Sequence, residues 1–354
     1  MRPIRFGQAS YRATVLPLLL LALATGLMVS CWPLGSNLDS RFHSQETMAA
    51  SAAQPYPYTQ ISKQLVGDGA SAYWVFQPEA TKPLSAPVVL FLHGWMAMDP
   101  YPYGGWIDHL AKSGNIVVYP VFQTSRNDTP EEMQENALRA IREAIRDLDN
   151  NPIRPDWNQF SIVGHSLGGG LSALVAANAQ SVGLPMPQVI MAVAPGWTEG
   201  ELPTAELSQI SSSSYLIIVE GADDELAESR QGANIYRATP QIPSERKAYF
   251  VLASGDDNLE VTHSSPLSPL ESYRNADLSR REVRQQRFGT FFFNVLTGQN
   301  AGTIDQLDSA GYWPIFDSAR QAAASGRPAL SVADNFSQVT GSGNPDSPQR
   351  LVVE

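Results

Sequence analysis

The stretch FSIVGHSLGGGLSALVAANA, residues 160–179, contains a G-x-S-x-G motif with Ser166 at its centre. The motif is weak by itself, because glycine and serine are common and the three fixed positions meet by chance in many chains. Its flanks make it informative: FSIVG is typical of a buried strand, and LGGGLSALVAANA of a helix. A strand, a sharp turn and a helix hold a serine hydroxyl exposed at the edge of a sheet. The stretch therefore predicts a strand–turn–helix unit in which Ser166 is a candidate nucleophile.

The glycines around Ser166 have a predicted steric role. Ser166 must adopt a strained backbone conformation at the turn, and side chains at Gly164 and Gly168 would collide across it. The helix that follows directs its first N–H groups toward the serine, which favours negative charge there. For the extra Gly170 we expect close packing of the helix on the sheet.

The composition is that of a globular protein with a substantial core. The chain has 354 residues, of which 43% are hydrophobic and 17% charged, and this is not typical of a disordered chain. Its formal net charge is -11. Because nucleic-acid binding depends on a basic face, the charge balance argues against nucleic acid as a partner.

The N-terminus has the pattern of a targeting segment. Three arginines in the first twelve residues precede TVLPLLLLALATGLMVS, residues 14–30, which is continuously apolar or small. The run is slightly short for a membrane-spanning helix of about 20 residues and contains Pro17. We therefore predict a signal sequence over residues 1–30, with a retained anchor helix as the alternative.

Cys31, the only cysteine, follows this run directly, so an intramolecular disulfide is excluded. The tetrapeptide MVSC resembles the lipobox of bacterial lipoproteins, although Met28 stands where leucine is usual. In that class the cysteine is acylated and becomes the new N-terminus. The resemblance implies export and a lipid anchor on Cys31, with the protein facing the periplasm or the cell exterior. Stable anchoring of this kind takes more than one acyl chain.

Beyond the targeting segment the chain divides into three parts. Residues 31–57 are polar and rich in alanine, with proline, which is typical of a flexible tether. A folded domain is predicted over residues 58–310. A C-terminal extension over residues 311–354 is expected to be partly mobile, since GSGNPDSP is rich in turn residues.

Strand and helix signals alternate through the folded domain. ISKQLV and SAYWVFQP flank Gly67–Gly69 and predict a β-hairpin. A helix is predicted to open at Thr129, with Pro130 and Glu132 in capping positions, and a final helix over residues 280–296. Apolar runs typical of buried parallel strands are APVVLFLHGW, NIVVYPVF, FSIVG, QVIMAVAP, SYLIIVEG and KAYFVLAS. The alternation predicts an α/β fold with a mainly parallel, doubly wound sheet and helices on both faces.

A serine hydroxyl becomes a good nucleophile only when a base takes its proton. When the serine lies at a strand–helix turn of this kind, the chain order is serine, acid, histidine. Of the five histidines only His263 follows Ser166, in a loop after the strand-like KAYFVLAS. A lone loop histidine is more often a solvated surface residue, but its position and its uniqueness favour His263 as the base.

The other groups of such a site have candidates as well. An acid that orients the histidine is expected after SYLIIV, where EGADDE supplies four carboxylates, most of which must be ordinary solvated side chains. An oxyanion needs backbone N–H donors, and the N–H of Leu167 is one candidate. A second donor is expected from the loop after the strand LFLHGW.

Together these motifs resemble the serine α/β-hydrolases. HGW, GHSLGGG, GADD and the downstream His263 occur in the family's order across roughly residues 60–300. Within the superfamily, PVVLFLHGW, GNIVVYPVFQ and GHSLGGG are similar to the group of dienelactone hydrolases, chlorophyllases and cutinase-like polyester hydrolases. Chlorophyllases usually have arginine at the position of Leu167, and cutinase-like enzymes usually have a disulfide, so the chain departs from both patterns.

The resemblance implies roles for particular residues. Similar enzymes have G-x-x-D at the acid turn, which implies Asp224 as the acid, with Asp223 as its rival. His93-Gly94 match the HG element of these enzymes, which implies that the N–H of the next residue, Trp95, is the second oxyanion donor. A mechanism that uses these residues with Ser166 and His263 needs no cofactor and no metal. The sequence has neither an HExxH spacing nor a glycine-rich nucleotide loop.

Two segments bear on the substrate. Only residues 196–213 lie between QVIMAVAP and SYLIIVEG, too few for a large cap domain, so we expect an open cleft that accepts esters on large or surface-bound molecules. The segment WMAMDPYPYGGW makes Trp95, Tyr101 and Tyr103 candidates for an apolar wall, with Trp197 opposite. Packing against the sheet is the alternative interpretation of these side chains.

These observations lead us to expect an exported, lipid-anchored carboxylic ester hydrolase that works through an acyl-enzyme. Its expected partners are an ester on a small molecule, a lipid or a polymer, and a membrane at the N-terminus. An acyltransferase with the same triad and a non-catalytic binding protein that retains the fold are the alternatives.

Overall fold

The computed structural model of the protein describes residues 56–198, 202–226, 230–256, 258–275, 302–327 and 336–354. The predicted signal sequence, Cys31, nearly all of the tether and the helix expected over residues 280–296 lie outside these ranges. Within them, no helix has the length and apolarity needed to cross a membrane.

A mixed sheet forms the centre of the described domain, and ten strands of it lie in the described residues. They are β1 Ile61–Val66, β2 Tyr73–Pro78, β3 Ser85–Leu92, β4 Ile116–Pro120, β5 Arg154–His165, β6 Val189–Val193, β7 Tyr215–Gly221, β8 Lys247–Ser254, β9 Gln338–Thr340 and β10 Gln349–Val353. Their order across the sheet is β1-β2-β4-β3-β5-β6-β7-β8-β10-β9. The strands from β4 to β10 in this order are parallel, and β1–β2, β2–β4 and β10–β9 pair antiparallel.

Helices cover both faces of this sheet. Those in the described residues are α1 Gly104–Lys112, α2 Pro130–Leu148, α3 Leu167–Asn178, α4 Arg230–Arg237 and α5 Trp313–Ala324. Residues of α2, α3 and α4 belong to one apolar cluster, and residues of α1 and α5 to another. In β3, Leu90 faces the first cluster and Phe91 the second, because successive side chains of a strand point to opposite faces. The predicted fold class, a mainly parallel α/β sheet with helices on both faces, is confirmed.

Helix α2 begins with the predicted capping box. The Thr129 side chain accepts the N–H of Glu132, the Glu132 carboxylate accepts the N–H of Thr129, and Pro130 occupies the first turn. These contacts satisfy backbone donors that the first turn of a helix leaves without a partner.

After residue 310, where a partly mobile extension is expected, the described residues contain helix α5 and strands β9 and β10. Helix α5 packs on the α1 face of the sheet, and β10 pairs in parallel with β8. Leu351 and Val353 are buried. Described residues on both sides of residue 310 therefore contribute to one sheet and to the helices that cover it.

The described domain begins near one end of the parallel strands, and Ser166 lies near the other end. The N–H of Tyr58 donates to the carbonyl of Lys112, the last residue of α1, and β1 starts beside the end of β2. Both contacts lie at the amino ends of the parallel strands, whereas Ser166 follows the carboxyl end of β5.

Candidate active site

Ser166 is the single residue between β5 and α3, and its backbone has φ 55° and ψ -122°. A left-handed conformation at a non-glycine residue costs about 1–3 kcal/mol and persists only where neighbours impose it. Here the N–H of Ser166 donates to Val193, and its carbonyl accepts the N–H groups of Gly170 and Gly196. Ser166 therefore lies on a strained turn that backbone hydrogen bonds hold in place, as the motif predicts.

The glycines of the motif allow three close backbone approaches. A Cβ atom on Gly164 would lie 2.0 Å from the carbonyl oxygen of Gly168, the predicted collision across the turn. A Cβ atom on Gly168 would lie 2.1 Å from the carbonyl oxygen of Leu92, so this glycine makes room for the end of β3 instead. At Gly170 a Cβ atom would lie 2.6 Å from the carbonyl oxygen of Gly196. Gly170 thus packs against the loop after β6, and the expected contact with the sheet is corrected to this loop.

The side chains of Ser166, His263 and Asp224 form one line of hydrogen bonds. His263 Nε2 lies 2.9 Å from Ser166 Oγ, and His263 Nδ1 lies 2.8 Å from Asp224 Oδ2. Because a carboxylate only accepts, Nδ1 carries the proton and Nε2 has a lone pair toward the serine hydroxyl. Both the imidazole and the carboxylate are almost fully buried, at 5% and 1% exposure. The arrangement can remove the proton from Ser166 Oγ and stabilise the resulting imidazolium.

The turn after β7 brings the acid to the histidine. Gly221 lies so close to the His263 loop that a Cβ atom on it would be 2.2 Å from the carbonyl oxygen of Val261. Asp223 makes two hydrogen bonds with Val261: its N–H donates to the Val261 carbonyl, and its Oδ2 accepts the Val261 N–H. Asp224 is the carboxylate that reaches the imidazole. Of the two candidate acids, Asp224 therefore contacts the imidazole, while Asp223 binds the backbone of the histidine loop.

The two predicted oxyanion donors are available for a ligand. The N–H groups of Leu167 and Trp95 have no acceptor among the described residues. The next amide, that of Met96, is occupied by Gln123 Oε1 at 2.6 Å. Gly94 to Ala97 form a β-turn in which Met96 has φ 63°, so Gln123 fixes the peptide that follows Trp95. Gln123 is fully buried and is the last residue of the GNIVVYPVFQ stretch, to which the sequence patterns gave no role of its own.

The side chains predicted to line the substrate cleft differ in how exposed they are. Trp95 is 36% exposed at the turn after β3, and Trp197 is partly buried against the cluster that contains α3. Gly196, which precedes Trp197, leaves space beside the nucleophile, since a Cβ atom there would lie 3.5 Å from Ser166 Oγ. Tyr101 is half-buried under the guanidinium of Arg274.

Tyr103 does not lie on the cleft surface, and its predicted role as a substrate wall is corrected. The side chain is 1% exposed and packs among Phe91, Trp106 and other residues of the α1 face. Its hydroxyl accepts the N–H of Gly94 and lies 2.8 Å from His165 Nδ1. An aromatic residue in the segment 95–106 can equally face the core, and the sequence pattern does not give the direction of a side chain.

Burial shifts the titration of two groups beside the triad. It lowers the pKa of His165 to about 3, helped by the nearby His263, so His165 is neutral at physiological pH. Burial also raises the pKa of Glu220 to about 7, although a hydrogen bond from the Tyr249 hydroxyl opposes the shift. In the part of the chain that the structure describes, no cluster of three or more histidine, cysteine or carboxylate residues could hold a metal ion.

The family model for Chlorophyllase matches residues 61–199, which is less than half of the chain. The matched stretch runs from β1 past β6 and includes the turn at Trp95 and the turn at Ser166. The match and the mostly parallel sheet, with ten strands in the described residues, are consistent with an α/β-hydrolase fold. No curated protein matches the chain significantly.

Proposed function

We propose that the protein is a carboxylic ester hydrolase that works through an acyl-enzyme on Ser166. The observation that carries the proposal is the continuous line of hydrogen bonds from Asp224 through His263 to a strained serine. The match to the Chlorophyllase family model supports a hydrolase that acts on esters.

The proposed reaction has two halves. Ser166 Oγ attacks the ester carbonyl while His263 Nε2 takes its proton, and the oxyanion is stabilised by the N–H groups of Leu167 and Trp95. The tetrahedral intermediate then collapses, and His263 gives the proton to the departing alcohol. In the second half His263 takes a proton from water, the hydroxide attacks the acyl-enzyme, and the acid leaves as Ser166 recovers its proton. Asp224 stabilises the imidazolium in both halves.

The chemistry of the cleft supports an ester with an apolar acyl group. Gly196 leaves room beside Ser166 Oγ, and the indoles of Trp95 and Trp197 supply apolar surface nearby. The described part of the segment between β6 and β7 contains one short 3-10 helix, Thr204–Gln209, whose Leu207 packs in the cluster of α3. An ester on a large molecule can therefore approach this side of the site.

An active-site probe tests the proposal. We expect a fluorophosphonate to label the wild-type protein and not Ser166→Ala, because only Ser166 has the His263 base beside it. The matched control is Ser208→Ala, which changes an exposed serine and should label like wild type. A panel of p-nitrophenyl esters of graded acyl length, run on the same three proteins, then measures turnover. A wild-type protein that neither labels nor hydrolyses any ester would refute the proposal and favour the binding-protein alternative.

Acyl transfer differs from hydrolysis only in the second half of the reaction, where an alcohol replaces water. Since both share the acyl-enzyme, the probe labels either enzyme. Product analysis with a competing alcohol separates them: free acid as the main product supports the hydrolase, and a new ester as the main product supports the transferase.

We also propose that the protein is exported and anchored through lipid on Cys31. The proposal is supported by the apolar run at residues 14–30 and by the lipobox-like MVSC that ends in Cys31. A lipid anchor of this kind leaves the hydrolase domain on the outer side of the membrane that it crossed.

A further inference from the structure

A chain of buried hydrogen bonds lies behind the candidate triad and shares none of its side chains. The N–H of Gly94 lies 2.9 Å from the hydroxyl oxygen of Tyr103, and that oxygen lies 2.8 Å from His165 Nδ1. His165 Nε2 lies 2.9 Å from the backbone carbonyl oxygen of His263. Tyr103 is 1% exposed and His165 3%, so solvent cannot readily replace any of these bonds.

The chemistry of the partners fixes the direction of every bond in this chain. A carbonyl oxygen only accepts, so the proton of the neutral His165 is on Nε2 and its Nδ1 has a lone pair. The Tyr103 hydroxyl must then donate to Nδ1, which leaves its oxygen to accept the N–H of Gly94. Each group has one compatible partner, and loss of the Tyr103 hydroxyl would leave both of its neighbours without one.

This chain of hydrogen bonds joins the three segments that the proposed reaction brings together. Gly94 precedes Trp95, whose N–H is a proposed oxyanion donor. His165 precedes the nucleophile Ser166, and the carbonyl at the far end belongs to the base His263. The side chains of His165 and His263 also pack on each other, with ring centroids 4.9 Å apart.

We propose that Tyr103 and His165 are positioning residues, which set the distance between the oxyanion turn, the nucleophile and the base through their hydrogen bonds to backbone groups. This inference rests on the proposed hydrolase function. A displacement of about 1 Å at reacting groups can cost roughly a hundredfold in rate. The effect belongs to kcat, because neither side chain faces the cleft where the ester binds.

The test compares two isosteric changes, each of which removes a buried tyrosine hydroxyl. We expect Tyr103→Phe to lower kcat for a p-nitrophenyl ester by about tenfold to a hundredfold and to leave KM within about twofold. The matched control is Tyr215→Phe, since the Tyr215 hydroxyl is buried without a partner among the described residues and lies at the start of β7, far from the site. Tyr215→Phe should keep wild-type kcat and KM. Circular dichroism at the assay temperature verifies that both variants are folded.

A double-mutant cycle tests whether the two residues act as one chain. His165→Phe should lower kcat in the same way, and Tyr103→Phe/His165→Phe should be about as slow as the slower single variant, because either change breaks the chain. Effects that multiply, or a folded Tyr103→Phe with kcat within twofold of wild type, would overturn the inference. If Tyr103→Phe does not fold, His165→Leu, which can make neither hydrogen bond, replaces it, and its unchanged kcat would overturn the inference equally. An inert wild-type protein would instead contradict the hydrolase proposal itself, so the two failures are distinguishable.

Discussion

At the residue scale, the two neighbouring aspartates after β7 stabilise the His263 loop in different ways. Asp224 Oδ2 accepts from the imidazole, whereas Asp223 Oδ2 accepts from the backbone N–H of Val261. Loss of charge should affect the first contact much more than the second, because only Asp224 faces the imidazolium of the proposed reaction.

We therefore expect Asp224→Asn to lower kcat by roughly three to four orders of magnitude, since its amide favours the wrong tautomer of His263. Asp223→Asn should cost less than about tenfold, because its amide oxygen still accepts the Val261 N–H. Steady-state kinetics on one ester measures both, and the Asp223 variant serves as the matched control. A larger loss for Asp223→Asn would exchange the roles of the two residues.

The residue scale also shows what patterns in the sequence can and cannot give. Ser166 and His263 could be found by motif and elimination, because the chain offers one histidine after the serine. The roles of His165 and Tyr103 could not, since a motif gives the type and order of residues but not the direction of buried side chains. A histidine directly before a candidate nucleophile, with tyrosines near the oxyanion strand, is the signal that was available in the sequence.

At the element scale, β10 contributes to the stability of the sheet. It pairs with β8, and Leu351 lies opposite Leu252 with both side chains fully buried. A buried leucine at the end of the chain is therefore part of the same core as the central strands.

We expect Leu351→Ala to lower the free energy of unfolding by about 2–5 kcal/mol, because it removes buried methyl groups and leaves a cavity. Leu84→Ala is the control, since Leu84 is 93% exposed, and it should change stability by less than about 0.5 kcal/mol. Urea unfolding followed by circular dichroism measures both variants. Equal stability of the two would show that β10 does not belong to the cooperative unit.

Elements with long apolar runs were predictable, and β9 and β10 were not. The runs of β3, β6, β7 and β8 are long and bounded by turn residues, so local sequence is enough to identify them. In contrast, β9 has three residues and β10 follows the turn-rich GSGNPDSP. The strand structure of β10 depends on pairing with β8, a partner almost a hundred residues earlier, which no local pattern records, and β9 in turn pairs with β10.

At the scale of the whole molecule, the proposed lipid anchor and the hydrolase site can be tested separately. We expect Cys31→Ser to move the full-length protein from the membrane fraction to the soluble fraction of the producing bacterium, because the acyl chains attach to this sulfur. Ser36→Ala in the predicted tether should leave the protein in the membrane fraction. Immunoblots of the two fractions measure the distribution, and ester hydrolysis per molecule should be equal in all three proteins.

Unchanged membrane retention of Cys31→Ser would contradict lipidation and favour the retained anchor helix. Complete secretion of the wild-type protein into the medium would contradict both kinds of anchor.

The described domain starts at the amino ends of the parallel strands, and Ser166 lies at their carboxyl ends. A protein attached to a bead at Tyr56, where the described domain begins, will therefore have its cleft turned outward, where an insoluble particle can reach it. Coupling through the C-terminus has the opposite effect, because Val353 accepts the N–H of Gly255 at the start of the loop that leads to His263. For assays on solid substrates, attachment just before Tyr56 is therefore better placed than attachment after Glu354.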